Sequence, residues 1–305
     1  MSVTVVGSTA IDTIQTPFGK ASSVLGGSAT YFAMAASYFC SVRIVSVVGQ
    51  DFPDDYFQVF HDHNIQTEGI SVTKGKTFTW TGRYNDALDS ATTLDVAVNV
   101  LENFEPHIPA SYQGPDILFL ANINPGVQLQ VVKKIHPKYL IAMDTMNIWI
   151  ETKRETLLEV IRHVDIIILN DAEARLLTGQ AVLPKAARVI ASWGPKRVII
   201  KKGEHGAFMS SENGFFVIPA FIQEKLVDTT GAGDSFAGGF LGSLCQSMLD
   251  KKITPDEKNY REAVIYGNVM ASFTVEDFSV EKLRGLDQDD IYTRRKNILK
   301  QTSVG

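Results

Sequence analysis

The sequence predicts a doubly wound α/β fold: a mostly parallel central sheet flanked by helices, with a small β-sheet lid outside it. Three observations lead there. Near-continuous runs of Val, Ile and Leu recur along the chain, which suits strands covered on both faces. Helical patterns lie between them, the alternation that builds right-handed crossovers and a parallel sheet. One stretch breaks this rhythm and alternates strictly with period two.

In chain order, strands are expected at 3–7, 43–48, 117–121, 139–144, 165–169 and 197–201. Helices are expected at about 28–38, 53–63, 126–135, 152–163, 171–178 and 183–192. From about residue 230 the pattern turns helical, near 232–249, 257–275 and 288–300. The exceptional stretch is 77–84. Phe78, Trp80 and Tyr84 fall on one of its faces, and Thr77, Thr79, Thr81 and Arg83 on the other. Residues 92–98 are its expected partner strand. The lid is therefore assigned to 12–24 and 71–103 within a single domain spanning 1–305. No Pro-, Gly- or Ser-rich linker and no internal repeat divides the chain.

Composition narrows the function. The 305 residues are 45% hydrophobic and 21% charged, values of an ordinary globular protein rather than a disordered or fibrous one. A formal net charge of −5 speaks against nucleic acid as a partner, which would call for a basic face. It leaves room for a small anionic ligand held by local positive potential and backbone N–H groups. No run reaches the roughly 18 apolar residues needed to span a bilayer, and the first residues lack the basic, then apolar, pattern of a leader peptide. Cys40 and Cys245 lie in apolar helical patterns without CxxC spacing and read as free thiols. A reducing, cytoplasmic setting is expected.

The chemistry is concentrated in 228–240, Asp-Thr-Thr-Gly-Ala-Gly-Asp-Ser-Phe-Ala-Gly-Gly-Phe. Phe236, Phe240, Leu244 and Met248 recur every four residues after it, so Gly231, Ala232 and Gly233 form the N-terminal turn of an amphipathic helix. Such a turn presents unpaired N–H groups and the positive end of the helix dipole, a natural cradle for phosphate. Asp234 in the first turn is placed to accept the proton of an attacking hydroxyl. Taken alone, the segment also fits a plain glycine turn before a core helix. Competing phosphate motifs fail: the sixth position of a G-x-G-x-x-G is Phe236, and Gly75-Lys76-Thr77 has Ile70 where a P-loop needs glycine. Asp277-Phe278-Ser279 is no protein-kinase signature.

The segment closely resembles the C-terminal signature of the ribokinase-like (PfkB-type) carbohydrate kinases, D-T-x-G-A-G-D-x-F. The resemblance runs the length of the chain: Gly7 and Asp12 around the first strand, Gly26-Gly27-Ser28-Ala29 leading into a helix, Asn170-Asp171-Ala172-Glu173 after a strand, and Lys202-Gly203-Glu204-His205-Gly206 after the next. It implies a ribokinase-like fold and a kinase that uses ATP and Mg²⁺ to phosphorylate an alcohol group on a sugar or sugar-like small molecule. Asp234 is then the base, and Gly231, Ala232 and Gly233 with the Asp234 amide are the anion hole. Placement at a helix N-terminus is expected to keep Asp234 ionised. Asn170 and Glu173 resemble the pair that organises Mg²⁺ and its waters, although Asn170 as N-cap with Glu173 at N3 also reads as a capping box. Asp12, Gly26 and Gly27 correspond to the acceptor side. Lys202, Gly203, Gly206 and Asn268 correspond to the nucleotide side, while Lys201 and Lys202 also read as solvated strand-end charges. Asp228 and Thr230 are candidates for a monovalent-cation (K⁺) site.

Two departures from the family pattern bear on the acceptor. Tyr31 stands where carbohydrate members carry Asn, and 275–279 lacks the usual Gly-Ala turn. The first favours a nucleoside kinase on the same fold as the alternative. Asn122, Asn124, Asp144 and Asn147, at or after the ends of central strands, are further acceptor candidates or ordinary turn formers. A non-catalytic sugar sensor is the remaining alternative, and a homodimer formed through the lid is the expected assembly if there is one. His61 and His63 have no third ligand near them in sequence.

Overall fold

The structure is a computed structural model that describes residues 1–88, 90–251 and 255–303. Strand β1 (Ser2–Val6) is buried throughout. β2 (Ala10–Thr16) and β3 (Gly19–Gly26) form an antiparallel hairpin. Helix α1 (Ser28–Ala36) follows, buried along its whole length, which suits its lack of charged residues. Next come β4 (Ser41–Gly49), α2 (Asp54–Asp62) and β5 (Gln66–Thr73), then the antiparallel pair β6 (Thr79–Tyr84) and β7 (Ala91–Ala97). Alternation resumes with β8 (Ile117–Leu120), α3 (Pro125–Lys134), β9 (Leu140–Asp144), α4 (Asn147–Thr152), α5 (Arg154–Ile161), β10 (Ile166–Asn170), α6 (Asp171–Thr178), α7 (Leu183–Ala191) and β11 (Arg197–Lys201). An antiparallel hairpin, β12 (Ala207–Ser211) and β13 (Gly214–Ile218), precedes α8 (Ala232–Lys251), α9 (Glu257–Thr274), α10 (Glu281–Arg284) and α11 (Gln288–Thr302).

Among the described residues, the strands make a nine-stranded sheet, β13-β12-β11-β10-β9-β8-β1-β4-β5, and a four-stranded sheet, β3-β2-β6-β7. Period-two alternation builds the layers of the larger one. Val3, Val5, Phe119, Ile166, Ile168 and Ile199 pack with Phe32 of α1, Phe240 of α8 and Val264 of α9. Their neighbours Val6, Leu118, Leu120, Ile167, Leu169, Val198 and Ile200 pack on the opposite side against Val131, Leu157, Leu177 and Ile190 of α3, α5, α6 and α7. The chain leaves β1 for β4 on one side and returns to β8 on the other. That reversal is a topological switch point, where open α/β sheets bind ligands at strand C-termini.

The expected parallel strands lie within two residues of their observed positions. β2 and β3 fall largely in the 12–24 segment assigned to the small sheet, whereas β5 and β12–β13 were not anticipated as strands. β5 is a polar edge strand with only Gly69 and Ile70 buried, so it lacks the apolar run that marks its neighbours. Because it pairs with β4, residues 71–73 belong to the central sheet rather than to the second sheet. The helix expected at 152–163 is α5, and the short helix α4 before it, separated by Lys153 with a non-helical φ of −133°, was not anticipated.

Candidate active site

The glycine turn sits where the large sheet, α1 and the second sheet meet. Gly231 has φ +74°, and a Cβ there would lie 2.3 Å from the Tyr31 ring. Glycine is therefore required both by conformation and by space. α8 begins at Ala232, whose N–H donates to Thr229 O at 3.3 Å, and the N–H groups of Gly233 and Asp234 and the positive dipole end lie at this turn. Asp234 belongs to that first turn.

One group of side chains gathers on the second-sheet side. Asp12 of β2 is 4% exposed, and its Oδ1 has no hydrogen-bond partner. A Cβ on Gly26 would stand 1.9 Å from Asp12 Oδ2, so only glycine leaves the carboxylate its place. Burial raises Asp12 to about 7, with the charge of Asp228 adding to it and the Gly27 amide opposing. Asp228 is fully buried; its Oδ1 accepts from Thr230 N at 2.9 Å, while Oδ2 has no partner. Burial raises it to about 6. Tyr31 lies beside both, with an unpartnered hydroxyl. Burial first, then the charges of Asp228 and Asp12, hold its phenol protonated far above the usual range.

A second group gathers beneath the turn, at the ends of β9, β10 and β11. Lys201 Nζ lies 3.1 Å from Asp144 Oδ2, and a Cβ on Gly233 would stand 2.8 Å from the same Nζ. Asp144, Glu173 and Asp234 all raise the Lys201 ammonium against the opposing effect of burial. Glu173 makes the capping box with Asn170: Asn170 N donates to its Oε2 at 2.7 Å, and its own N donates to Asn170 Oδ1 at 2.8 Å. Burial, then the charge of Asp144, raises Glu173 to about 7. Asp234 is raised to about 8 by burial, then by Asp144, against the pull of Lys201. This corrects the expectation of an ordinarily ionised base. Loss of water around the carboxyl and its acidic neighbours outweigh the helix dipole.

The second sheet turns one face toward these groups. β2 and β6 run parallel with Asp12 opposite Trp80, so Asp12, Trp80, Gly82 and Tyr84 share that face. The Trp80 ring leans over Gly82 and donates Nε1–H to Thr93 Oγ1 at 3.1 Å. Tyr84 Oη lies 3.1 Å from Thr230 Oγ1, and Thr229 Oγ1 donates to Leu88 O at 2.9 Å.

Of the residues expected from sequence, Asp12, Gly26, Gly27, Tyr31, Asp228, Thr230, Gly231 and Asp234 surround one space. Asp144, Glu173 and Asp234 surround the adjoining one. Tyr31 is 1% exposed and its ring is packed under Gly231, so it offers no open aromatic face. Asp144 is engaged by Lys201. Asn122 accepts from Trp149 Nε1 at 2.8 Å, and its carbonyl accepts from Ser28 Oγ at the start of α1. Lys202, Gly203 and Gly206 form the turn after β11, closed by Lys202 N to Gly206 O. Asn268 is buried on α9 with an unpartnered Nδ2. No contact among the described residues ties these last four to the two clusters. Sequence reasoning passed over Lys201. Alternation along β11 did hold the signal, because Ile199 packs toward α8 and Lys201 must follow it.

A dipole-bearing glycine turn, a proton acceptor in its first helical turn and a buried carboxylate opposite are the equipment of a phosphotransferase acting on an alcohol. The chain belongs to the pfkB family of carbohydrate kinases, whose profile matches residues 1–283. It is a sugar or nucleoside kinase of the ribokinase type, and it uses ATP. It is 30% identical to a cytidine kinase of Thermococcus kodakarensis over 248 residues, 79% of this chain and 87% of that protein. It is 34% identical to a ribokinase of Haemophilus influenzae over 122 residues, 38% of this chain and 36% of that protein. The fold matches the crystal structure of the Methanocaldococcus jannaschii nucleoside kinase with a TM-score of 0.77 at 20% identity, covering 97% of this chain and 98% of that one. No helix among the described residues is long and apolar enough to cross a membrane.

Proposed function

We propose that this enzyme transfers the γ-phosphoryl group of ATP to a hydroxyl of a ribose-bearing acceptor, with a nucleoside as the preferred class. The observation that carries the reading is Asp12. A buried carboxylate with a free oxygen, set beside the glycine pair, is a poor choice for stability and a good one for gripping sugar hydroxyls. Asp234 accepts the proton as the acceptor oxygen attacks phosphorus and the bond to the bridging oxygen of ADP breaks. A carboxylate at about 8 is, once ionised, a stronger base than an ordinary one. Gly231, Ala232, Gly233 and the Asp234 amide supply the anion hole, and positioning with charge stabilisation provides most of the rate.

The donor set also fits the cations such a reaction needs. Among the described residues no three acidic, His or Cys side chains form a metal cage. Mg²⁺ suits such a place, since it is held by substrate phosphates and water with one or two carboxylates. Glu173, with Asn170 orienting it, would serve, and the ion would neutralise charge on the phosphates. The unpartnered Asp228 Oδ2 beside Thr230 suits a monovalent cation such as K⁺. Asp144 is assigned to holding Lys201, and Asn122 to shaping the rim beside Gly27. Lys202, Gly203, Gly206 and Asn268 are kept as the nucleotide border on the family resemblance alone.

Support for a nucleoside comes from Trp80, an aromatic ring on the same sheet face as Asp12, and from the identity to a cytidine kinase across most of the chain. The second sheet acts as the lid over the acceptor. β7 is exposed along nearly its full length, with Leu94 and Val96 at 43% and 50%, so a second copy pairing there is the proposed dimer contact. The deciding experiment is phosphorylation of cytidine, inosine, ribose and fructose by wild type and Trp80→Ala. Base–aromatic stacking is worth roughly 1–3 kcal/mol, so Trp80→Ala is expected to raise KM for nucleosides about 5- to 150-fold and to spare sugars. An equal loss on both classes would sink the nucleoside assignment.

A further inference from the structure

The second sheet touches the glycine turn through side-chain hydroxyls of two consecutive residues. Thr230 Oγ1 meets Tyr84 Oη at the end of β6, 3.1 Å away, and Thr229 Oγ1 reaches the Leu88 carbonyl in the β6–β7 connection at 2.9 Å. Thr229 and Thr230 are also the residues that lead into Gly231, the one turn position with positive φ. Leu88 is buried at 3% exposure and held at φ +56°, a costly backbone state for leucine. The hairpin connection therefore holds a strained residue against the turn.

The setting of Tyr84 gives these contacts more than a packing role. Its hydroxyl, on the sheet face that carries Asp12, meets Thr230, whose N–H donates to Asp228 Oδ1. One hydroxyl thus faces the acidic pair of the acceptor side and the turn of the phosphoryl side. Asp12 shares a sheet face with Tyr84, so any movement of the second sheet that shifts Asp12 also pulls on Thr230.

We infer that Tyr84 and Thr229 form a latch: Tyr84 is a positioning residue that sets the glycine turn only when the second sheet lies down on it. The inference rests on the kinase reading above and deepens it by naming how that site separates acceptor from water. With the latch engaged, the γ-phosphoryl group meets the acceptor oxygen held by Asp12. With it open, water reaches the same phosphorus. The water oxygen then bonds to phosphorus, the bond to the bridging oxygen of ADP breaks, the water proton goes to Asp234, and inorganic phosphate is released. Closing elements of this kind exclude water and complete the catalytic arrangement.

The test measures ADP formed against acceptor phosphorylated, with cytidine and ribose as probes and Mg²⁺-ATP as donor. Wild type is expected to give a ratio near one. Tyr84→Phe and Thr229→Val each delete one hydroxyl and little volume. Each is expected to raise the ADP formed in excess of phosphorylated acceptor about threefold to tenfold, the scale of one lost hydrogen bond, and to raise acceptor-free ATP hydrolysis in proportion. Thr229→Ser keeps the hydroxyl and is expected to restore the wild-type ratio, which a packing defect would not allow. An excess of ADP and an acceptor-free hydrolysis rate equal to wild type in both variants overturn the latch, whether or not kcat falls, while leaving the kinase reading intact. Wild type that forms ADP but phosphorylates neither probe overturns both.

Discussion

Replacing Asp12 by Asn tests whether the site is built at the expense of stability. In the folded protein the Asp12 carboxyl is raised from 3.8 to about 7, chiefly by burial. The unfolded chain holds it near its ordinary value. Between those two values the native state binds a proton that the unfolded state has lost, so stability falls as pH rises. At 1.36 kcal/mol per pH unit, the carboxylate costs up to about 4 kcal/mol at pH 8 and about 1.5–2 kcal/mol at pH 5. Asn keeps the shape and carries no charge. Asp12→Asn is therefore expected to stabilise the protein at both pH values, with roughly twice the gain at pH 8. At about 2 °C per kcal/mol for a chain this long, Tm should rise by several degrees at pH 8. Paired urea melts at pH 5 and pH 8 measure the difference, and kinetics on the same samples should show acceptor phosphorylation reduced at least 100-fold. A variant that is no more stable at pH 8, or gains equally at both pH values, would refute the buried-carboxylate argument.

Asp234→Asn is expected to lower kcat by about 10²–10⁴ while ATP affinity, measured by calorimetry, stays within a few-fold. In wild type, kcat/KM should climb with pH and level off near 8, because below that value the carboxyl already holds the proton it must accept. Glu173→Gln should raise the Mg²⁺ concentration for half-maximal rate; an unchanged Mg²⁺ titration would leave Glu173 only its capping role. Lys201→Met leaves Asp144 buried without its partner and should cost about 3–5 kcal/mol in urea unfolding, much of it recovered in the double variant with Asp144→Asn.

The buried parallel strands were legible because burial on both faces writes a continuous apolar run, as in Ile166–Asn170, which is buried up to Asn170. The edges were not. Gln66–Thr73 mixes polar and apolar residues without the density that marks a core strand, whereas Gly214–Ile218 is a short apolar run, Gly-Phe-Phe-Val-Ile, that is largely exposed and that the sequence reading passed over. At the site, residue types that only one conformation tolerates were readable: Gly231 with φ +74°, Gly26 against Asp12, and the Asn170–Glu173 box. What depends on partners distant in sequence was not. Lys201 looked like the first of two surface lysines until β9 brought Asp144 to it across 57 residues. Tyr84 shared a face with Trp80 from sequence, but only the parallel pairing of β6 with β2 shows what that face looks at. The ionisation of Asp234 was misjudged for the same reason, since it depends first on burial and then on Asp144 and Glu173, which arrive from β9 and α6.

Those carboxylates pose a problem of charge. Asp12, Asp144, Glu173, Asp228 and Asp234 converge with Lys201 as the cation among them, yet the nucleotide they must receive is itself strongly anionic. Without ligand, burial is the largest force favouring the protonated forms of Asp12, Glu173, Asp228 and Asp234, raising them to between about 6 and about 8, and the charge of Asp228 on Asp12 and of Asp144 on Glu173 and Asp234 adds to it. That state is wrong for catalysis, because a protonated Asp234 cannot take a proton and a protonated Glu173 attracts a cation poorly. Cations arriving with the nucleotide would oppose both effects, favouring the ionised carboxylates and neutralising the phosphates. The glycine turn contributes fixed dipoles that need no proton at all. On the proposed assignment, Asp234 would be switched on as the base by the same charges that accompany the substrate.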